Sequence, residues 1–140
     1  MTRQRPRPPG RDEPGAAAAS ATPRLLLVVG DDRPVRAALA ALPGLARARV
    51  LAAADAETAA ARLPEGGVDL VLTEVELPGR SGIWLAEWVA MHAPAVRVVL
   101  MSATLPPSGT VFPRSVLRFV RPPISRGVLL EILADAPAGP

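Results

Sequence analysis

Uninterrupted apolar runs alternate along this chain with stretches whose apolar positions recur every three or four residues. Residues 24–29 (RLLLVV) make a short apolar run of the kind buried on both faces of a sheet. Residues 49–53, 69–73 (DLVLT), 97–101 (RVVLM) and 117–120 predict a second to a fifth strand. Helical signals fill the intervals. Asp31 or Asp32 can cap a helix with Pro34 in its first turn and Val35, Leu39 and Leu42 as its inward stripe. Asp55 caps an alanine-rich helix to Leu63, which Pro64 and the glycines at 66 and 67 terminate. Ser81 caps a helix over residues 82–92, broken after by Pro94, and Ser125 caps a last one with Val128, Leu129, Ile132 and Leu133 as its apolar face.

One interval departs from the pattern. Residues 104–116 (TLPPSGTVFPRSV) hold Pro106, Pro107, Gly109 and Pro113, and a regular helix cannot run through that sequence, so a loop or a single turn is expected. The alternation of strand and helix predicts an α/β fold with a parallel sheet covered on both faces. In such sheets the functional crevice lies beyond the carboxyl ends of the strands. Here those ends are residues 30–32, 73–76, 102–103 and 121–122, and they converge on one edge.

Composition narrows the picture. With 140 residues, 49% of them hydrophobic, the chain can bury one core. No run reaches the roughly 18 apolar residues of a membrane span, and the N-terminus lacks a secretory apolar stretch, so a cytoplasmic protein is expected. Without cysteine there are no disulfides or thiolate metal sites. Residues 1–23 carry five prolines and read as a disordered Arg/Pro/Ala-rich tail, residues 24–135 as the domain, and residues 136–140 as a C-terminal fray. All the basic charge is arginine. Four arginines against two carboxylates leave +2 in the tail, and twelve against eleven leave +1 in the remainder, which together make the net charge of +3. A nearly neutral folded part gives no basic face, so no specific nucleic-acid binding is expected. His92, the single histidine, has no neighbouring ligands in sequence and reads as a helix-end surface residue.

The segment DLVLTEVELPGRSG (69–82) resembles the third strand and phosphorylation loop of bacterial response regulator receiver domains. VVGDDRPVR (28–36), VVLMSA (98–103) and FVRPP (119–123) support the resemblance by their order and spacing. It implies a flavodoxin-like, doubly wound five-stranded parallel sheet, here with the fourth helix degraded to a loop. In that family an aspartate ending the third strand accepts a phosphoryl group. Two acidic residues after the first strand help to hold Mg²⁺, and a Ser/Thr and a Lys bind the phosphoryl oxygens. By this resemblance the acceptor position is Glu74, and the acidic pair falls on Gly30 and Asp31, with Asp32 and Glu76 completing a vestigial acidic pocket. Ser102 and Arg121 take the phosphoryl-oxygen positions, Pro122 is the cis-proline candidate, and Arg118 falls where the family's switch aromatic usually sits.

These departures have physical consequences. Glu74 carries its carboxylate about 1 Å further than aspartate would, enough to spoil in-line attack. Gly30 removes an oxygen ligand, and Mg²⁺ demands near-ideal octahedral geometry, so weak Mg²⁺ binding at most and no other cofactor is expected. Arg121 offers a planar fork suited to a carboxylate, so a Glu74–Arg121 pair with Ser102 donating to it is one arrangement. Helix capping by Asp31 or Asp32 and a solvated Arg121 are the plain alternatives.

The resemblance then implies a non-enzymatic, phosphorylation-independent receiver-like module of two-component or phosphorelay signalling, acting on a regulatory protein partner or as a homodimer. Trp84 and Trp88, four residues apart on one helix flank, are either a partner surface or an extension of the core. The alternatives are a small-molecule sensor using the acidic crevice and a small flavodoxin-like enzyme. Against the enzyme, no glycine-rich phosphate loop follows the first strand and no nucleophile–base pair can be named.

Overall fold

The computed structural model describes residues 25–42 and 48–135. The expected tail, the first residue of the domain and the C-terminal fray lie outside the described residues. Five strands, β1 (Leu25–Val29), β2 (Arg49–Ala53), β3 (Leu70–Glu74), β4 (Arg97–Met101) and β5 (Val116–Val120), form one sheet in the order β2-β1-β3-β4-β5. Every pairing is parallel. Four α-helices are described: α1 (Arg33–Ala40), α2 (Ala56–Arg62), α3 (Gly82–His92) and α4 (Arg126–Asp135). This is the flavodoxin-like arrangement, and its strand order reverses between β1 and β3.

The strand sequences explain their places. Leu26 to Val29, Leu70 to Leu72 and Val98 to Leu100 have no exposed surface, as central strands covered on both faces require. The strands β2 and β5 lie at the edges and are only partly buried. Successive strand residues serve opposite faces. Leu26, Val28, Leu70, Leu72, Val99 and Met101 pack with Val35 of α1 and Leu129, Ile132 and Leu133 of α4. Leu27, Val29, Val71, Val98 and Leu100 pack with Ala56, Ala59 and Ala60 of α2 and Leu85, Ala86 and Val89 of α3.

Caps fix the helix starts. Asp55 accepts a hydrogen bond from Thr58 N at 2.7 Å, Ser81 from Trp84 N at 3.1 Å, and Ser125 from Val128 N at 3.1 Å. The proline-rich stretch between β4 and β5 contains no helix. Phe112 from this loop stacks on Phe119 of β5, with ring centroids 5.8 Å apart, and joins the α2–α3 side of the core. One aromatic side chain thus covers part of the sheet face that a helix would otherwise cover. Among the described residues, no helix is long and apolar enough to cross a membrane.

Candidate functional site

Register brings the strand ends together. Val29 stands opposite Ala53 and Thr73, Glu74 opposite Met101, and Met101 opposite Val120. The ladders run one bond further, through Gly30 N to Ala53 O, Val75 N to Met101 O and Ser102 N to Val120 O, at 2.9, 2.9 and 3.1 Å. Residues 30–31, 74–76, 102 and 121–123 therefore share one edge. The start of α3 is drawn tightly against it. Gly82 N donates to Val75 O at 2.9 Å, and a Cβ on Gly82 would run into the Glu74 carbonyl oxygen and lie 3.1 Å from Thr73 Oγ1. Only a residue without a side chain allows that approach.

At this edge lies a cavity of about 290 Å³, lined by Asp31, Pro34, Val35, Glu74, Met101, Pro122, Pro123 and Ile124. Of the residues singled out from sequence, the structure gathers Asp31, Glu74 and Pro122 around it. The Glu74 carboxylate accepts a hydrogen bond from Asp31 N at 3.0 Å. Asp31 turns its own carboxylate onto Arg33, whose Nε and Nη2 lie at 2.9 and 3.0 Å and whose backbone N–H donates to Oδ1 at 3.0 Å. These hydrogen bonds, the side-chain one foremost, hold the Asp31 carboxyl below the ordinary aspartate range and raise the Arg33 guanidinium. Asp32 stands at the N-cap of α1 without a capping bond. Its carboxylate pairs with Arg36 one turn on, which likewise lowers its pKa.

Three expectations are corrected here. Ser102 does not donate to Glu74; its hydroxyl is shared between the two oxygens of Glu76, each at 3.1 Å, and accepts from Thr104 N at 3.0 Å. The reason is direction: Glu74 reaches towards Gly30 and Asp31, so the carboxylate two residues on is the one that meets Ser102. Arg121 does not pair with Glu74 either; Nη2 lies 3.5 Å from Ala103 O, on the exposed side of the loop. With the Glu74 head group turned to Gly30 and Asp31, the Arg121 guanidinium is left on the solvent side of the loop. Lastly, the cis bond joins Pro122 to Pro123, one position later than expected. Two successive prolines offer two tertiary amides, and either tolerates cis far better than an ordinary peptide.

Arg118 bridges to Glu131 of α4 at 2.9 Å. Trp84 and Trp88 are half-buried against the α2–α3 core, with Arg80 5.0 Å from the centroid of the Trp84 ring and His92 stacked on Trp88 at 4.5 Å. Val35, Met101, Pro123 and Ile124 were missed as cavity walls, because apolar residues at strand and helix ends carry the same signal as core. Among the described residues, no group of three or more His, Cys, Asp or Glu side chains is arranged to hold a metal.

The response regulator receiver domain model matches residues 26–131. The chain therefore belongs to the response regulator receiver domain family, a family of two-component signalling modules. It is similar in structure to a CheY-like response regulator receiver domain protein from Methanospirillum hungatei, at 21% identity and TM-score 0.65, covering 78% of this chain and 89% of that one. It is likewise similar to the signal receiver domain of an HD domain-containing protein from Pseudomonas fluorescens, at 24% identity and TM-score 0.67, covering 82% and 94%. A third similar structure is the response regulator protein TrrA from Thermotoga maritima in complex with Mg²⁺-BeF, at 22% identity and TM-score 0.64, covering 78% and 95%. No curated protein matches the chain.

Proposed function

We propose that this domain is a receiver that works without being phosphorylated, as a protein-interaction module of a cytoplasmic two-component or phosphorelay system. The observation that carries this reading is the state of the strand-end carboxylates. Glu74 stands at the position that the resemblance assigns to the phospho-acceptor, and its head group is held by Asp31 N at 3.0 Å. Its extra methylene displaces the nucleophilic oxygen by about 1 Å, and near-attack geometry does not tolerate such an error. The residues also do not fit Mg²⁺. Gly30 has no side-chain ligand atom, Asp31 is engaged by Arg33 in two side-chain hydrogen bonds, and an octahedral ion requires oxygens free to meet it. Binding of Mg²⁺ is accordingly expected to be weak, and no cofactor is assigned.

Output then passes through a regulatory protein or a second copy of the chain. Residues 102–115 contain no helix, and Arg118, at the position the resemblance gives to the switch aromatic, is tied to Glu131. The test is to incubate the protein with acetyl phosphate and Mg²⁺ and read intact mass. No phosphoryl adduct is expected; an adduct mapped to Glu74 or Asp31 overturns the reading. Light scattering and affinity capture from the native host then distinguish a homodimer from a regulatory partner.

The cavity favours a second reading, a small-molecule sensor. A volume of about 290 Å³, lined by Val35, Met101, Pro122, Pro123 and Ile124 together with Glu74 and Asp31, suits a compact ligand with an apolar body. It predicts a thermal shift with some metabolite and none with Mg²⁺ plus beryllofluoride.

A further inference from the structure

Gly30 and Glu74 are far apart in sequence, one after β1 and the other at the end of β3, and they touch in space. The backbone of Gly30 stands at φ +108°, which residues with side chains rarely adopt. A Cβ built there would lie 2.5 Å from Glu74 Cδ, 2.7 Å from Oε2 and 2.8 Å from Oε1. All three are atoms of the carboxylate itself, so the Glu74 head group fills the volume into which a side chain at position 30 would grow. Its hydrogen bond from Asp31 N holds it there. A rotamer that swung the carboxylate away would make room only by giving up that bond.

We infer that Gly30 and Glu74 are one compensated exchange: the glycine makes room for the glutamate, and the glutamate occupies the corner that an acidic side chain at position 30 would fill. This rests on the receiver reading above and deepens it. The two departures from the family pattern are then not independent losses. Shortening Glu74 to aspartate alone leaves position 30 without an oxygen. Placing aspartate at 30 alone drives the Glu74 carboxylate out of that corner and off its bond with Asp31 N. Only the two changes together place aspartate carboxylates at both positions 30 and 74.

Two measurements test this. In the first, Mg²⁺ alone is titrated calorimetrically into the wild type, Gly30→Asp, Glu74→Asp and the double variant. The double variant is expected to bind at least about tenfold more tightly than either single one. In the second, which does not depend on the Gly30→Asp variant folding, Gly30→Ala is introduced into both the wild type and Glu74→Ala. The φ strain of an alanine is present in both arms and cancels, whereas the contact with the Glu74 carboxylate exists in only one. The unfolding midpoint is expected to fall by about 4 °C more in the wild-type background than in the Glu74→Ala background. Equal falls overturn the exchange, and so does a double variant no tighter for Mg²⁺ than the better single one. Phosphorylation of the wild type by acetyl phosphate would strike instead at the phosphorylation-independent reading, leaving the comparison of the two alanine falls intact.

Discussion

Phe112 is the aromatic side chain by which the loop between β4 and β5 packs on the sheet, and Phe112→Ala measures how well that substitute for a helix works. The ring is half-buried and stacks on Phe119 at a centroid distance of 5.8 Å. Truncating a fully buried phenylalanine costs about 3–5 kcal/mol. Half burial reduces this to about 2 kcal/mol, of which roughly 0.5–1.5 kcal/mol is the ring pairing itself. Val111, its neighbour, is 91% exposed and supplies the control, since Val111→Ala should cost less than about 0.5 kcal/mol. Phe112→Leu keeps most of the apolar area and loses only the pairing, so it should fall between the two. Urea unfolding followed by Trp84 and Trp88 emission reads all three. If Phe112→Ala costs no more than Val111→Ala, the loop does not brace the sheet and the account of how this face is covered is wrong.

Gly82→Ala would ordinarily favour a helix by up to about 1 kcal/mol, but here the added Cβ meets the Glu74 carbonyl, so a net loss of about 1–3 kcal/mol is expected; a raised thermal midpoint would refute the close approach. Ser102→Ala removes the donor to Glu76 and the acceptor of Thr104 N, at an expected cost of about 1–1.5 kcal/mol, and the same change in a Glu76→Ala background should cost measurably less. The folded pKa values of Asp55, Asp31 and Asp32 are lowered, chiefly by the backbone bond from Thr58 for Asp55 and by Arg33 and Arg36 for the other two. Each therefore contributes stability that is present above its unfolded pKa and lost as pH falls through the folded one. The urea midpoint should stay level down to about pH 5 and decline below about pH 4. Asp55→Asn keeps the cap acceptor without the titration, so its decline should be shallower; an unchanged slope would remove Asp55 from the account.

Much of this fold is legible in the sequence because its signals are local. The apolar runs at β1, β3 and β4 cannot be satisfied except between two layers, and Asp55, Ser81 and Ser125 announce their helices by capping chemistry. Prolines at 106, 107 and 113 forbid a helix whatever surrounds them. The site was legible only as a place. Which carboxylate meets Ser102 depends on where the long side chains of residues 74 and 76 point, and both are equally consistent with the strand end. The contact between Gly30 and Glu74 joins the ends of two different strands, and a glycine in sequence does not say which neighbour needs its missing Cβ. The choice between two adjacent prolyl bonds is likewise set by surroundings that the dipeptide does not contain.

Water is excluded from almost the full length of β1, β3 and β4, whereas the side chains of the crevice hang from the points where those strands stop. Amide protons in the middle of these strands should therefore exchange only when the whole domain opens, and those of the loops after β1, β3 and β4 through small local excursions. The edge that carries the crevice can thus reshape itself on a timescale of its own, on a frame that stays shut.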